Sequence, residues 1–525
     1  MAEPNEVEKL IKQLSNGDWT ERIEAAESLG QKGYKIALPH LIKALVHSSE
    51  YVRRSAAEAL GKLGDTCAVP HLVKALADSD TNVRWYAAKA LNKLGDRSGV
   101  PHLIEALGDS NALVRGNVAR LLGEMRDGMT VPNLIKALSD SDVYVRRNAA
   151  KALGKLGDKN AVPQLIEVLH DSDYTVRYSA AETLGKLRDK GALIPLINAL
   201  ADSNNMVRRQ VVNALRKLAD KSGTAALVKG LLDSDHVVRW QSARALGTIS
   251  DAASVPLLIK SLSDPNHLVR SKIAWALGRH RNKIAVPPLI IALSDSYAGV
   301  RAQAAWALGK LRAKTAMLYL LDAMSDGERN VSSEASRAVA KLGDREAVPH
   351  LIRAMSSDAP QLRGHCAWVL GQLGDIRALP HLINALSDNN DDVRYHAALA
   401  LGDLGDRKAV PYLIKALSDR WFMAREAAAF SLGEMDDEAV VPHLTHALVD
   451  PDESVRSAAT GALKKLGYEK LVQAVVQKPM SHVDVNQPVA KSIKPFIICP
   501  YCGQEFNLPK TPRFCPYCQE KLAEN

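Results

Sequence analysis

The sequence predicts an all-α protein in which about fifteen short helical hairpins stack into a solenoid, followed by a small C-terminal metal-binding module. Three observations lead to this fold class. One unit recurs every 31 residues, only 5% of the residues are aromatic, and four of the six cysteines form two Cys-x-x-Cys pairs near the C-terminus. The chain is instead rich in Ala and Leu, which favour closely packed helices over sheets.

Each repeat is interpreted as two helices joined by a turn. In residues 38–65, Pro39 suits the first turn of a helix, and apolar residues recur at helical spacing through both predicted helices. Gly64 suits a left-handed residue at the end of the second helix. One hairpin cannot bury its apolar face alone, so we expect successive hairpins to stack. The proline recurs at intervals of 31 residues or multiples of 31, at positions 39, 70, 101, 132, 163, 256, 287, 349, 380, 411 and 442.

Most repeats also carry an aspartate and an arginine six residues apart, as in Asp140 and Arg146. With this pair, the repeat resembles the HEAT-like repeats of the phycocyanobilin lyase type over residues 1–474. The resemblance implies a right-handed α-solenoid in which the two residues form a ladder between successive repeats. Fourteen copies of the arginine favour a structural role over a ligand site. The exceptions are Ser332 at the arginine position and Asn16, His47 and Ser357 at the aspartate position.

One stretch departs from the repeat pattern at three positions together. Leu318 replaces the proline, Ser332 replaces the arginine and Ser357 replaces the aspartate. Because coupling between neighbours stabilises a repeat array, we expect a soft joint between residues 318 and 363.

The C-terminal module carries the clearest chemical motif. Cys499 and Cys502 are followed, after twelve residues, by Cys515 and Cys518. Four thiolates at this spacing suit one tetrahedral Zn²⁺, and four protein ligands leave no open position for catalysis. We therefore expect a structural zinc ribbon over residues 496–525, tethered by a flexible linker, residues 475–495. The ribbon is interpreted either as a docking module for protein or nucleic acid, or as a capping or dimerising appendage.

Composition limits the location and the partners. The formal charge of +9 on 525 residues permits an acidic partner without demanding nucleic acid. The sequence has no run of 18 apolar residues and no apolar N-terminal segment, so we expect neither a membrane span nor a signal peptide. Cys67 and Cys366 stand alone, which suits a reducing compartment, and we expect a cytoplasmic protein.

Enzymatic alternatives find little support in the motifs. Deoxyhypusine hydroxylase, which shares this repeat class, holds two irons with His-Glu pairs, and this sequence has no His-Glu dipeptide. The phycobilin lyases share a similar fold, but no lyase-specific catalytic residue can be matched here. The sequence also lacks the phosphate-loop, zincin and nucleophile-elbow motifs.

Positions that vary between repeats indicate where a partner binds. Residues one, five and nine places after the ladder arginine share one face of the second helix, which lines the concave side in solenoids of this class. Position nine is mostly basic, and position five changes from polar to aromatic along the chain. Two interpretations stay open: partner anchors, or helix-end charges and packing residues. The candidate partner-binding residues are Trp275, Trp306, Trp368, Phe430, Trp85, Trp240, Arg54, Arg147 and Arg209.

These observations favour a non-enzymatic scaffold or adaptor that binds a protein along the concave face, with no small-molecule substrate. One alternative is a lyase-like enzyme component or a chaperone of a covalent pigment. Another is nucleic-acid binding through the basic row and the ribbon, which would weaken steeply with salt.

Overall fold

The computed structural model describes residues 4–476, 497–498 and 505–506, and it divides into two units, residues 1–285 and 286–525. The predicted fold class is confirmed. Within the described residues the chain is almost wholly helical, and each unit is a stack of helical hairpins. The described residues also include a pair of short antiparallel strands, β1 (Ile497–Ile498) and β2 (Glu505–Phe506). The expected linker and ribbon lie mostly outside the described residues.

The N-terminal unit contains nine hairpins. In each hairpin the first helix packs on the second, and successive second helices pack side by side. The helices are α1 Pro4–Asn16, α2 Trp19–Lys32, α3 Leu38–Ala44, α4 Glu50–Leu63, α5 Val69–Ala75, α6 Thr81–Leu94, α7 Val100–Glu105, α8 Ala112–Met125, α9 Val131–Ala137, α10 Val143–Leu156, α11 Val162–Glu167, α12 Tyr174–Leu187, α13 Leu193–Asn198, α14 Asn205–Leu218, α15 Thr224–Gly230, α16 His236–Ile249, α17 Val255–Lys260 and α18 His267–His280.

The C-terminal unit contains six further hairpins and one terminal helix, built in the same way. These helices are α19 Val286–Ala292, α20 Ala298–Leu311, α21 Met317–Ala323, α22 Arg329–Leu342, α23 Val348–Ala354, α24 Pro360–Leu373, α25 Leu379–Ala385, α26 Asp391–Leu404, α27 Val410–Ala416, α28 Phe422–Glu434, α29 Val441–Ala447, α30 Glu453–Lys465 and α31 Glu469–Val476.

The local signals in the sequence have the predicted roles. Pro39 lies in the first turn of α3, and Gly64 ends α4 with a φ of 76°. An unexpected feature is a short 3₁₀ turn before most first helices, as in residues 159–161. There the Asp158 carboxylate accepts a hydrogen bond from the Asn160 amide. This turn occupies residues that would otherwise extend the first helix, so the first helices after α1 span only six or seven residues.

The core lies between the helices of each hairpin and between neighbouring second helices. Leu41, Ala56 and Leu60 are fully buried. The second helices approach so closely that a Cβ added at Gly123 would lie 2.6 Å from the Cα of Ala152. The recurring glycine is therefore required for helix packing.

The predicted ladder is present and has a specific geometry. The Arg146 guanidinium donates from Nη1 to the carbonyls of Asp140 (2.9 Å) and Ser141 (3.0 Å) in its own turn. Its Nε and Nη2 donate to the Asp171 carboxylate of the next repeat, at 2.6 and 2.9 Å. Each rung thus ties one turn to the next. Equivalent pairs are Arg53–Asp78, Arg84–Asp109, Arg115–Asp140, Arg177–Asp202, Arg208–Asp233, Arg239–Asp264, Arg301–Asp326, Arg363–Asp388, Arg394–Asp419 and Arg425–Asp450.

One rung is missing inside the C-terminal unit. Ser332 is buried, and its hydroxyl donates to the Arg329 carbonyl of its own helix. The turn at Ser357 still accepts a hydrogen bond from Arg363, at 2.8 Å to the carbonyl. The repeats on either side of this break therefore lack the charged link that joins most other neighbours.

Candidate functional site

The positions one, five and nine places after the ladder arginine form a continuous surface on each stack, here called the second-helix face. In α10, Lys151 and Lys155 are exposed, whereas Ala149 and Ala150 are buried between helices. In α10, positions five and nine therefore face solvent.

In the N-terminal unit this face interleaves cations with aromatic rings. The Arg54 guanidinium lies 5.7 Å from the Tyr51 ring centroid and 5.8 Å from that of Tyr86, on the next second helix. Lys89 lies 5.1 Å from the same Tyr86 centroid. Arg120 lies 5.6 Å from the Trp85 centroid, so Trp85 also contacts a cation of the following helix. Cation–π contacts of this kind connect neighbouring repeats as well as presenting charge.

Two of the predicted partner-binding arginines, Arg209 and Arg147, already contact other side chains of the protein. Arg209 forms two hydrogen bonds with the Asp235 carboxylate, at 3.0 and 2.6 Å, and holds the pKa of that carboxyl well below its usual range. Arg147 stacks 5.3 Å from the Tyr144 centroid. Arg209 therefore joins α14 to the start of α16 and contributes to the stack itself.

Trp240 and Trp275 share one cation. The Lys272 ammonium lies 5.1 Å from the Trp240 centroid and 4.8 Å from the Trp275 centroid, and Arg244 lies 5.7 Å from the Trp240 centroid. Trp275 also lies against the preceding helix, because a Cβ added at Gly247 would come within 2.7 Å of its ring. Trp275 is thus half-buried and partly fills the gap between helices.

In the C-terminal unit the predicted aromatic residues differ in exposure. Trp306 and Trp368 are half-buried, and Lys310 lies 5.7 Å from the Trp306 centroid. Phe430 is 51% exposed. An exposed phenyl ring has the most apolar area left to bury, so Phe430 is the strongest partner-binding candidate in this unit.

Phe430 borders a groove of about 800 Å³ over the last three second helices. Tyr395 and Leu399 of α26 lie on one side, and Gly461 of α30 lies on the other. Gly461 occupies position five of its repeat, where the two preceding repeats place Leu399 and Phe430, and nothing lies within 4 Å of a Cβ added there. The missing side chain leaves an opening beside an exposed ring.

The charge of this groove was missed by the sequence-based prediction. Glu426, Glu434 and Glu453 line it, with Lys465 as the one lining cation, and Lys465 is paired with Glu434. Asp403, at position nine of the preceding repeat, has its pKa raised by burial and by Glu434. Position nine was described as mostly basic, yet it holds Gln372, Asp403 and Glu434 before it ends at Lys465. Following the row to its last repeats would have shown this.

The predicted zinc ligands Cys499, Cys502, Cys515 and Cys518 lie outside the described residues. Among the described residues, no group of three or more His, Cys, Asp or Glu side chains is arranged to hold a metal ion. Cys366 is buried, which raises the pKa of its thiol to about 12, whereas Cys67 is exposed. In the described part of the chain, no helix has the length and hydropathy needed to span a bilayer.

Comparison with known proteins places these features in a family. A family model described as HEAT repeats matches overlapping segments that run from residues 7–92 to residues 422–478. None of the curated proteins searched matches the sequence.

Several solved structures resemble the fold. One is Kap95p, in a structure showing that its binding induces the switch loops of RanGDP to adopt the GTP-bound conformation. It has a TM-score of 0.58 and 13% identity, over 91% of this chain and 80% of that one. Another is importin beta crystallised in a polyethylene glycol condition, which has a TM-score of 0.59 and 13% identity, over 90% of this chain and 83% of that one. Importin beta crystallised in an ammonium sulfate condition has a TM-score of 0.53 and 14% identity, over 90% of this chain and 80% of that one. At these identities the likeness shows the fold.

Proposed function

The chain belongs to the HEAT-repeat family, and we propose that it is a non-enzymatic scaffold or adaptor that binds a protein partner through its second-helix face. The groove beside Phe430 is the observation that carries this proposal. It combines an exposed aromatic ring, a neighbouring tyrosine and an unfilled slot at Gly461. Aromatic anchors beside a concave surface are typical of the centre of a protein interface.

The charge around the groove limits the chemistry of the partner. Three glutamates and one lysine line it, so a segment with an apolar anchor flanked by Lys or Arg fits better than an acidic one. Kap95p, which is similar in fold, binds the protein RanGDP, and this supports protein binding as a use of such stacked hairpins.

The test compares two truncations on the C-terminal unit. Phe430→Ala removes the exposed ring from the groove, whereas Tyr412→Ala removes a ring of similar exposure, 48%, from the first helix α27. Partners are captured from native cells with the wild-type chain and quantified by mass spectrometry against each variant. We expect a set of proteins retained by wild type and Tyr412→Ala but lost from Phe430→Ala.

The affinity of a recovered partner should fall by about 30-fold in Phe430→Ala, equivalent to about 2 kcal/mol, with the melting temperature nearly unchanged. If both variants retain the same proteins, the groove is not the binding site. A Phe430→Ala protein that melts several degrees lower yet keeps its partners would show that the ring only stabilises the fold.

We further propose one structural Zn²⁺ bound by Cys499, Cys502, Cys515 and Cys518, in an accessory docking module over residues 496–525. The support is the spacing of two Cys-x-x-Cys pairs, which provides four thiolates for a closed tetrahedral site. The flexible linker over residues 475–495 and the cytoplasmic location belong to the same proposal. The 31-residue period and the Arg–Asp ladder support the phycocyanobilin lyase type of repeat.

A further inference from the structure

Three consecutive second helices of the N-terminal unit contain no acidic residue. They are α14, α16 and α18, and together they carry nine arginines and lysines. The ladder arginines among them serve the stack; for example, Arg208 and Arg239 pair with aspartates of the next repeat. Arg209, which pairs with Asp235, serves the stack as well, and it is set aside together with the ladder arginines.

Arg216, Arg244 and Lys272 belong to this remainder, and they lie 28 residues apart along the chain. α16 and α18 pack close to this register, because Gly247 lies against Trp275 and Ala276, and Arg244 lies near enough to Arg216 and Lys272 to lower the pKa of both. The three cations therefore follow one another across adjacent helices, and this set is called the cationic row.

The cationic row lacks a carboxylate partner in the described part of the chain. Among the described residues, no carboxylate pairs with any of its three members, and the Arg216 guanidinium donates instead to the Asn213 side-chain oxygen, at 2.8 Å. Burial, and then the neighbouring Arg244, lowers the pKa of both Arg216 and Lys272. Like charges held together without a partner favour an anionic ligand, which would relieve their repulsion.

We propose that the cationic row is a second binding site, which takes an acidic protein segment whose Asp or Glu carboxylates pair with Arg216, Arg244 and Lys272. Packed helices lie about 8–10 Å apart. A segment in polyproline II conformation has three residues per turn and advances about 3.1 Å per residue, so carboxylates on every third residue lie on one side, about 9 Å apart, and match successive members of the row.

The aromatic residues favour a protein over a nucleic acid. Binding of single strands depends on bases stacking on open aromatic faces. Here Trp240 is contacted by both Arg244 and Lys272, and Lys272 also lies over Trp275. These rings hold the cations in place, so they do not present free platforms for bases.

The experiment uses the full chain and two variants with the same loss of charge. The site variant is Arg216→Gln/Arg244→Gln/Lys272→Gln. The control variant is Lys43→Gln/Lys74→Gln/Lys136→Gln, which changes three exposed lysines on first helices of the same unit. Fluorescence anisotropy reports binding of three labelled probes: a 12-residue peptide with Glu at every third position, its Gln counterpart, and a 12-nucleotide oligothymidylate.

We expect the Glu peptide to bind wild type better than the Gln peptide does. The site variant should weaken that binding at least tenfold, and the control variant less than twofold. Circular dichroism should show that both variants remain helical; if the site variant melts early, Arg216→Gln/Arg244→Gln, which leaves Lys272 between its rings, replaces it.

Three results would overturn the proposal: no preference of wild type for the Glu peptide, equal weakening in both triple variants, or tighter binding of the oligonucleotide that is lost in the site variant. Phe430→Ala should bind the Glu peptide as wild type does, so failure of this site and failure of the groove can be told apart.

Discussion

Removing one rung of the ladder should open the array locally, and Arg146→Ala is the sharpest test. The variant loses two hydrogen bonds to the Asp171 carboxylate and two to the carbonyls of Asp140 and Ser141. Both charged side chains are largely buried, with 13% of the Arg146 side chain and 10% of the Asp171 side chain exposed. Asp171 would be left as an unpaired carboxylate at the junction of two repeats.

The size of the effect follows from this geometry. Breaking a buried ion pair by removing one partner destabilises by about 3–5 kcal/mol. Asp171 keeps one hydrogen bond, from the Asp173 amide at 2.9 Å, and lies near solvent, so we expect the lower end, about 3 kcal/mol. Because each repeat contacts only its neighbours, the loss should be confined to the α10–α12 junction.

Hydrogen exchange with mass spectrometry measures this directly. A loss of about 3 kcal/mol corresponds to exchange that is roughly 100-fold faster in peptides from α10 and α12. The matched control is Lys186→Ala, which removes an exposed lysine of α12 paired with Glu182 four residues away and should change exchange less than about fivefold. Similar exchange in both variants, or uniform loosening of the whole chain by Arg146→Ala, would contradict the local-ladder argument.

Three further outcomes are expected. Amide hydrogens of the soft joint, residues 318–363, should exchange faster than those of residues 132–188, because the joint lacks one rung of the ladder. Equal protection from exchange in the two regions would count against this prediction. Purified protein should contain one equivalent of zinc, and Cys499→Ser should lose the metal while the helical melting transition stays in place; a zinc-free preparation or a lowered transition would refute this. Burial, together with the nearby His365, lowers the pKa of His396, whose Nδ1 is buried without a hydrogen bond. Folding therefore favours the neutral form of His396, so its contribution to stability is fully present above the ordinary histidine pKa of about 6.5 and is lost as the pH falls below it. His396→Gln should flatten this loss between about pH 7 and 5, the exposed His381→Gln should not, and identical pH profiles for the two would show that His396 is not responsible.

The fold was predictable because its signals are local and repeated. Proline at the start of the first helix, glycine after the second and apolar residues between them recur with one period. In the structure these signals have the roles assigned to them, as at Pro39 and Gly64. The 3₁₀ turns were not predicted, because an aspartate in a link, such as Asp158, is compatible with a loop as well as with a turn cap.

The ladder was only partly predictable. The recurrence of Asp140 and Arg146 indicated a structural pair, and the resemblance implied a ladder between successive repeats without specifying which aspartate each arginine meets. Arg146 does contact the Asp140 carbonyl, but its charged partner is Asp171 of the following repeat. Which aspartate the guanidinium reaches depends on the offset between stacked repeats, and the sequence of one repeat does not contain that offset.

The same offset explains what was missed on the second-helix face. Comparing equivalent positions, which lie 31 residues apart, identified variable positions on the second helices. It did not consider which side chains of neighbouring helices contact one another. The side chains that meet across the helix boundary are about 28 residues apart, as Gly247 and Trp275 show. Along this diagonal a tryptophan lies over a glycine and becomes half-buried, and three cations become neighbours. Phe430 stays exposed, and Gly461, the equivalent position of the next repeat, has no side chain and open space around it. The exposure and charge of this face are therefore properties of pairs of repeats, and diagonal spacing is the sequence signal that should reveal binding residues in such arrays.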